Sequence, residues 1–423
     1  MESASILTNY TAGAFDEQLA RRFLDPHHVS LHAELEELRV LQHERALAGI
    51  PVADLSMVNP DLPPPRGVLD RLLEAVTKTT NHRYAVSRGV RRLREAFGFK
   101  YSHTFGHELN PESEVCVCLG SKDATFHALR VLLNPGDGVV VPLPTYPAHP
   151  SAVALAGGRA VAWQASVDAA EAAESLDKVL AYSADSANGG SRVKVLLLNF
   201  PANPTGAVVS SDWWHEIGRV CAAHQVTILN DFVYGEMCYS GKPASSALSA
   251  RVGGARCVEV YSLSKAYNVP GWRVGALVGD VSVVTAVSRL KSQADYGLFL
   301  PLQYAAAHAL TVKSLDELVG PTVRAYQRRA RVLRSGLSEL GWEVVDPAAG
   351  ASLWCRFPDE LVKGCDNERF GSIYAARRLL LQAGVVVTPG VVFGEGCDRW
   401  VRFALVMNEE RLRDVVAALR KIE

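Results

Sequence analysis

The sequence predicts an α/β protein: a mainly parallel seven-stranded sheet sandwiched by helices, with a smaller α+β unit beside it. Three observations lead there. From Val115 onward, short apolar runs alternate with helical stretches, as in successive strand–helix units. The runs are apolar almost throughout, which suits strands covered on both faces. The residues richest in chemistry follow the ends of these runs, and open α/β sheets bind ligands there.

In chain order, residues 1–30 lack periodicity and read as an N-terminal arm broken at Pro26. Ser30 reads as an N-cap for a helix with Leu31, Leu35, Leu38 and Leu41 on one stripe, ending before Gly49. A short strand near Val52–Leu55 runs into the proline-rich crossing Asn59 to Pro65. Arg66 to Thr79 is amphipathic and helical, and another helix starts near Val90. Strands are expected at Val115–Leu119, Gly138–Pro142, Ala160–Trp163, Val193–Leu198, Val226–Asn230, Cys257–Tyr261 and Val274–Val278. Ala181 to Ser191 is polar and reads as a surface loop. Asp280–Gln293 and one long stretch, Pro301–Leu340, read as helices, the second bridging two domains. Short strands, a helix near Arg369–Ala383, strands near Val385–Thr388 and Trp400–Leu405, and a last helix from Glu409 complete the chain. The expected division is 1–60 (arm and helix joining the small domain), 61–300 (large domain) and 301–423 (bridging helix and small domain).

The 423 residues are 48% hydrophobic and 21% charged with net charge −1, an ordinary globular balance that offers no field to recruit nucleic acid or an acidic membrane. No apolar stretch reaches transmembrane length and no signal-peptide pattern opens the chain, so no membrane role and a cytoplasmic location are expected. The eight cysteines are scattered without a C-x-x-C pair and read as buried thiols. The histidines are too dispersed along the chain for a metal cluster, and no metal is expected.

The chemistry centres on Ser262-Leu263-Ser264-Lys265, which follows the apolar run Cys257–Tyr261, with Arg273 eight residues on. A lysine that attacks a carbonyl must be neutral, so burial and nearby cations have to lower its pKa. The hydroxyls of Ser262 and Ser264 and the guanidinium of Arg273 suit a phosphate dianion. A reactive lysine beside a phosphate site matches pyridoxal 5'-phosphate. Ser-x-Ser-Lys alone is ordinary turn chemistry; two further stretches raise its meaning. Asn199-Phe200-Pro201-Ala202-Asn203-Pro204-Thr205-Gly206 and Asn230-Asp231-Phe232-Val233-Tyr234 each follow a strand. Asp231 is placed to keep a pyridine nitrogen protonated, and Asn203 and Tyr234 to hydrogen-bond the 3-hydroxyl oxygen. Gly120-Ser121-Lys122 joins a strand to a helix, where Ser121 reads as a plain N-cap or as part of a phosphate cradle.

With these motifs in place, the chain resembles the class I and II aminotransferases of pyridoxal-phosphate fold type I, from about Leu31 to the C-terminus. Within that group it is most similar to the bacterial alanine (glutamate–pyruvate) and diaminopimelate aminotransferases. The closer match lies in Met57–Asp61, Arg83–Gly89, Gly120–Lys122, Pro144–Pro147, Asp295–Gly297 and Val401–Leu405. The resemblance implies an aminotransferase of L-α-amino acids and 2-oxo acids with Lys265 as Schiff-base lysine and base. It implies Ser121 and the Lys122 backbone at the phosphate, Tyr146 stacked on the pyridine ring, and Arg402 on the substrate carboxylate with Asn203 beside it. It further implies that Tyr84 reaches the neighbouring subunit's phosphate, hence a homodimer with shared sites. Val58 stands where the alanine aminotransferase pattern has glycine, close to the substrate carboxylate. Rival readings are a replacement, cyclisation or oxidation enzyme of the same fold, and a cofactor-binding regulator. The segment before Leu31 is too short for the regulator's helix-turn-helix module.

Overall fold

The computed structural model of the chain describes residues 26–184, 192–312, 314–365 and 370–422. The expected N-terminal arm, up to residue 25, and positions 185–191 of the expected loop lie outside them. The first helix runs Pro26–Leu47, so Pro26 opens it and Ser30 sits inside it, not at its cap. Proline suits that place because its fixed φ is already helical and its missing N–H has no partner to lose.

The strands are β1 (Ala53–Asp54), β2 (Val115–Cys118), β3 (Gly138–Pro142), β4 (Arg159–Trp163), β5 (Val193–Leu198), β6 (Thr227–Asp231), β7 (Cys257–Ser262) and β8 (Gly275–Gly279), then β9 (Glu343–Val344), β10 (Ser352–Arg356), β11 (Val385–Val386), β12 (Thr388–Pro389) and β13 (Trp400–Ala404). Strands β2 to β8 form one seven-stranded sheet in the order β2-β8-β7-β6-β5-β3-β4. Only β8 runs antiparallel to its neighbours, so the sheet is mainly parallel as expected, with each strand end within one residue of the sequence reading. Strands β2, β3, β6, β7 and β8 are buried along their whole length. That burial explains why they read as unbroken apolar runs rather than alternating ones.

A four-stranded antiparallel sheet, β12-β13-β10-β9, and the parallel pair β1-β11 make the smaller α+β unit. The expected long helix over 301–340 is not continuous. It is split into Leu300–Thr311, Leu315–Leu318 and Gly320–Glu339. The first segment packs on the helices Arg66–Val76 and Arg91–Lys100, the last on the helix Glu409–Leu419. Pro321 lies in the first turn of the last helix, where it starts a helix more readily than it continues one. The expected loop also begins late: the helix Ala169–Ala184 takes up its first four residues.

No described helix is long and apolar enough to cross a membrane. None of the eight cysteines is in a disulfide among the described residues, and seven of them are buried. The fold also gathers Asp123, His127 and Asp295, which sequence spacing did not join. The Lys291 ammonium lies among them, 3.3 Å from Asp123 and 2.7 Å from Asp295.

Candidate active site

The site forms at the C-terminal ends of β5, β6 and β7, joined by the start of the helix Ser121–Leu132. Each strand end delivers one motif. Asp231 is the last residue of β6, and Ser262 the last of β7. Asn203 follows β5 by five residues and is fixed by Asn199, whose Oδ1 accepts the Asn203 N–H at 2.9 Å. The Asn199 amide in turn donates to the Asp231 carbonyl at 2.6 Å, so one side chain couples both loops.

Lys265 is half-buried, and its Nζ donates to the Val58 carbonyl. Burial lowers its pKa to about 8, helped by the positive charges of Arg402, Arg273 and Lys122 and opposed by Asp231. Asp231 is buried, with His149 Nε2 at 3.4 Å from Oδ2. Its Oδ1 is buried without a hydrogen-bond partner among the described residues. An orphaned carboxylate oxygen is costly, so this atom is built to meet a donor that arrives with a ligand. Tyr234 is buried, which raises its pKa. Tyr146 packs edge-on against His149 at 5.4 Å, and burial also raises its pKa.

The segments expected to cradle an anion meet at the start of the helix Ser121–Leu132. Gly120 (φ 82°) caps the helix, and Ser121 is its first residue rather than its cap. A Cβ on Gly120 would stand 2.3 Å from Arg273 Nη2, so only glycine lets the guanidinium lie against the helix start. Arg273 itself has φ 56° and is anchored by Nη1 on the Pro270 carbonyl (3.0 Å) and Nη2 on that of Leu119 (3.2 Å). Left-handed backbone at a non-glycine residue is strained, and such strain persists where surrounding contacts impose it. Ser262 Oγ and Ser264 Oγ are 2.9 Å apart. The side chain of Lys122 is exposed.

Arg402 is buried on β13. Its Nη1 donates to Asn203 Oδ1 (3.0 Å), and its Nη2 to the Ser56 carbonyl (2.6 Å) and Thr388 Oγ1 (3.0 Å). Phe393 lies 5.2 Å from the guanidinium carbon, and Nε has no partner among the described residues. Burial lowers its pKa. Val58 is buried in the main apolar cluster while its carbonyl faces Lys265. Tyr84 stands apart from this constellation: it is 84% exposed and packs on Tyr296 with ring centroids 4.6 Å apart.

Sequence reasoning missed His149, Thr388, Ser56 and Phe393 at the site, since none carries a local spacing signal. Asn199 was legible as a polar residue ending a strand, four before Asn203.

The residues fit the cofactor: a lysine of lowered pKa, an unpartnered buried carboxylate oxygen and an arginine set on a helix start lie at one sheet end. Residues 50–419 match the family Aminotransferase class I and II. The chain belongs to this family. As a class I and II aminotransferase it uses pyridoxal phosphate and moves an amino group between an amino acid and a 2-oxo acid. It is 34% identical to the glutamate–pyruvate aminotransferase AlaC of Escherichia coli, over 91% of this chain and 89% of that one. It is 32% identical to the LL-diaminopimelate aminotransferase of Moorella thermoacetica, over 93% and 95% of the two chains. Substrate-bound BacF from Bacillus subtilis superposes with a TM-score of 0.79 at 30% identity, covering 89% of this aminotransferase and 91% of BacF. The first two relatives are aminotransferases by name, which favours amino-group transfer over the replacement, cyclisation or oxidation alternatives.

Proposed function

We propose that this aminotransferase takes an L-α-amino acid larger than alanine as donor, with Lys265 as the residue that captures the cofactor's aldehyde and then moves the donor's Cα proton. The observation that supports the role of Lys265 most is the pairing of its pKa of about 8 with the unpartnered Asp231 Oδ1 at the same sheet end. When bound, pyridoxal phosphate supplies an electrophilic aldehyde and an electron sink. Asp231, oriented by His149 and Asn199, keeps the ring nitrogen charged. Asn203 and Tyr234 hold the 3-hydroxyl oxygen, and Tyr146 covers the ring face. Ser121, the Lys122 backbone, Ser262, Ser264 and Arg273 bind the phosphate. Arg402 binds the donor carboxylate, with Asn203 fixing its Nη1 edge. Incubating the holoenzyme with single amino acids tests this reading: one equivalent of 2-oxo acid should appear per cofactor. Release of any other product would overturn it.

Val58 sets the donor preference. It adds three carbons and a stiff β-branched side chain where the alanine aminotransferase pattern has glycine beside the donor. Alanine with 2-oxoglutarate should turn over poorly, and Val58→Gly should raise that rate. Brisk native alanine turnover, unchanged by the substitution, would make Val58 a neutral replacement.

The working assembly is a cytoplasmic homodimer in which Tyr84 completes the neighbour's phosphate site. Its exposure supports this, since a tyrosine on open surface beside Tyr296 has a face to bury. Mixed dimers of Lys265→Ala and Tyr84→Phe chains should regain part of the lost activity. Verified subunit exchange without recovery would place Tyr84 in its own site.

A further inference from the structure

We propose that Arg329 is a positioning residue that, through Asp61, latches the segment Met57–Pro63 as a strap over Lys265. The inference rests on the reading of Lys265 and Arg402 given above. Arg329 lies on the helix Gly320–Glu339, buried, and grips the Asp61 carboxylate with both prongs, Nη1 to Oδ1 at 2.6 Å and Nη2 to Oδ2 at 2.8 Å. The same Nη1 donates to the Leu405 carbonyl at 2.9 Å, one residue past the strand that carries Arg402. One guanidinium thus joins a helix, the strap and the end of β13.

Two turns earlier on that helix, Thr322 Oγ1 accepts a hydrogen bond from Asn268 Nδ2 at 2.8 Å. Asn268 Nδ2 also reaches the Pro63 carbonyl, 3.3 Å away. Asn268 is three residues after Lys265 and holds a left-handed φ of 55°. Residues seven apart share a helix face, so Arg329 holds the strap directly while Thr322 holds it through Asn268. The functional side of the strap touches the site itself. The Val58 carbonyl accepts from Lys265 Nζ, and the Ser56 carbonyl accepts from Arg402 Nη2. Asp61 lies three residues from Val58, and Pro60 stiffens the path between latch and site. A shift at Asp61 therefore carries to both Val58 and Ser56. A bidentate arginine–carboxylate pair resists such a shift because it fixes orientation as well as distance.

The test separates positioning from mere stability. Asp61→Asn leaves Arg329 charged and poorly matched, so that holoenzyme should melt earlier. Adding Arg329→Met removes the buried charge and should restore much of the melting temperature while leaving the strap untethered. In both proteins hydrogen–deuterium exchange over residues 55–65 should quicken, with the peptides of β5, β6 and β7 unchanged. With the donor that most changes the cofactor absorbance, kcat/KM should fall about 10- to 100-fold, mainly through KM. Native exchange over 55–65 and a native KM in the double variant would overturn the latch. Absence of any amino-acid response in the wild-type holoenzyme would instead strike the donor reading, and the exchange arm would still decide the latch.

Discussion

Lys265→Ala should lower kcat by at least about four orders of magnitude, since a positioned acid–base group alone contributes about 100- to 10,000-fold and the aldehyde-capturing amine is lost with it. The fold should survive, because the side chain is only half-buried and its hydrogen bond goes to the Val58 carbonyl. Borohydride reduction followed by peptide mapping should label Lys265 in the native holoenzyme. A label on another lysine, or activity of the variant within tenfold of native, would refute the assignment. The pH dependence follows from the lowered pKa. A lysine of pKa about 8 is about one-tenth neutral at pH 7 and about nine-tenths neutral at pH 9. Capture of pyridoxal phosphate by the apoprotein should therefore climb roughly tenfold over that interval and level off above it. An ordinary lysine would keep climbing beyond pH 10, so a rate without a plateau would mean that burial and the Arg402 charge do not act as argued.

Arg402→Lys should weaken the donor amino acid by roughly 2–5 kcal/mol, about 30- to several-thousandfold, with little effect on cofactor affinity. The guanidinium spends Nη1 on Asn203 and Nη2 on Ser56 and Thr388, which orients the group for an incoming carboxylate. Its Nε remains unpartnered and buried among the described residues. Lysine keeps the charge, but one ammonium cannot hold Asn203, Thr388 and the Ser56 carbonyl while also presenting a fork. The measurement is a donor titration of the holoenzyme by cofactor absorbance, beside a separate titration of the apoprotein with pyridoxal phosphate. Normal donor binding with lost cofactor binding would show that Arg402 serves the cofactor.

What the sequence alone determined is whatever local rules control. Strands β2 to β8 were legible to within a residue because burial on both faces forces an unbroken apolar run, and such a run is visible without knowing its neighbours. Lys265, Asp231 and Asn203 were legible because each sits just past such a run, where open sheets bind ligands. Periodicity carried the reading through 301–340 too far, since the apolar stripe continues across a break that only packing on different partners creates. The tertiary structure alone decided what meets across the chain. His149 reaches Asp231 over 82 positions, and Arg329 reaches Asp61 over 268. Spacing rules extend over one or two helical turns, so no sequence pattern couples such pairs. The lowered pKa of Lys265 is of the same kind: it arises from burial and from the charge of Arg402, which the folded chain brings to it from β13.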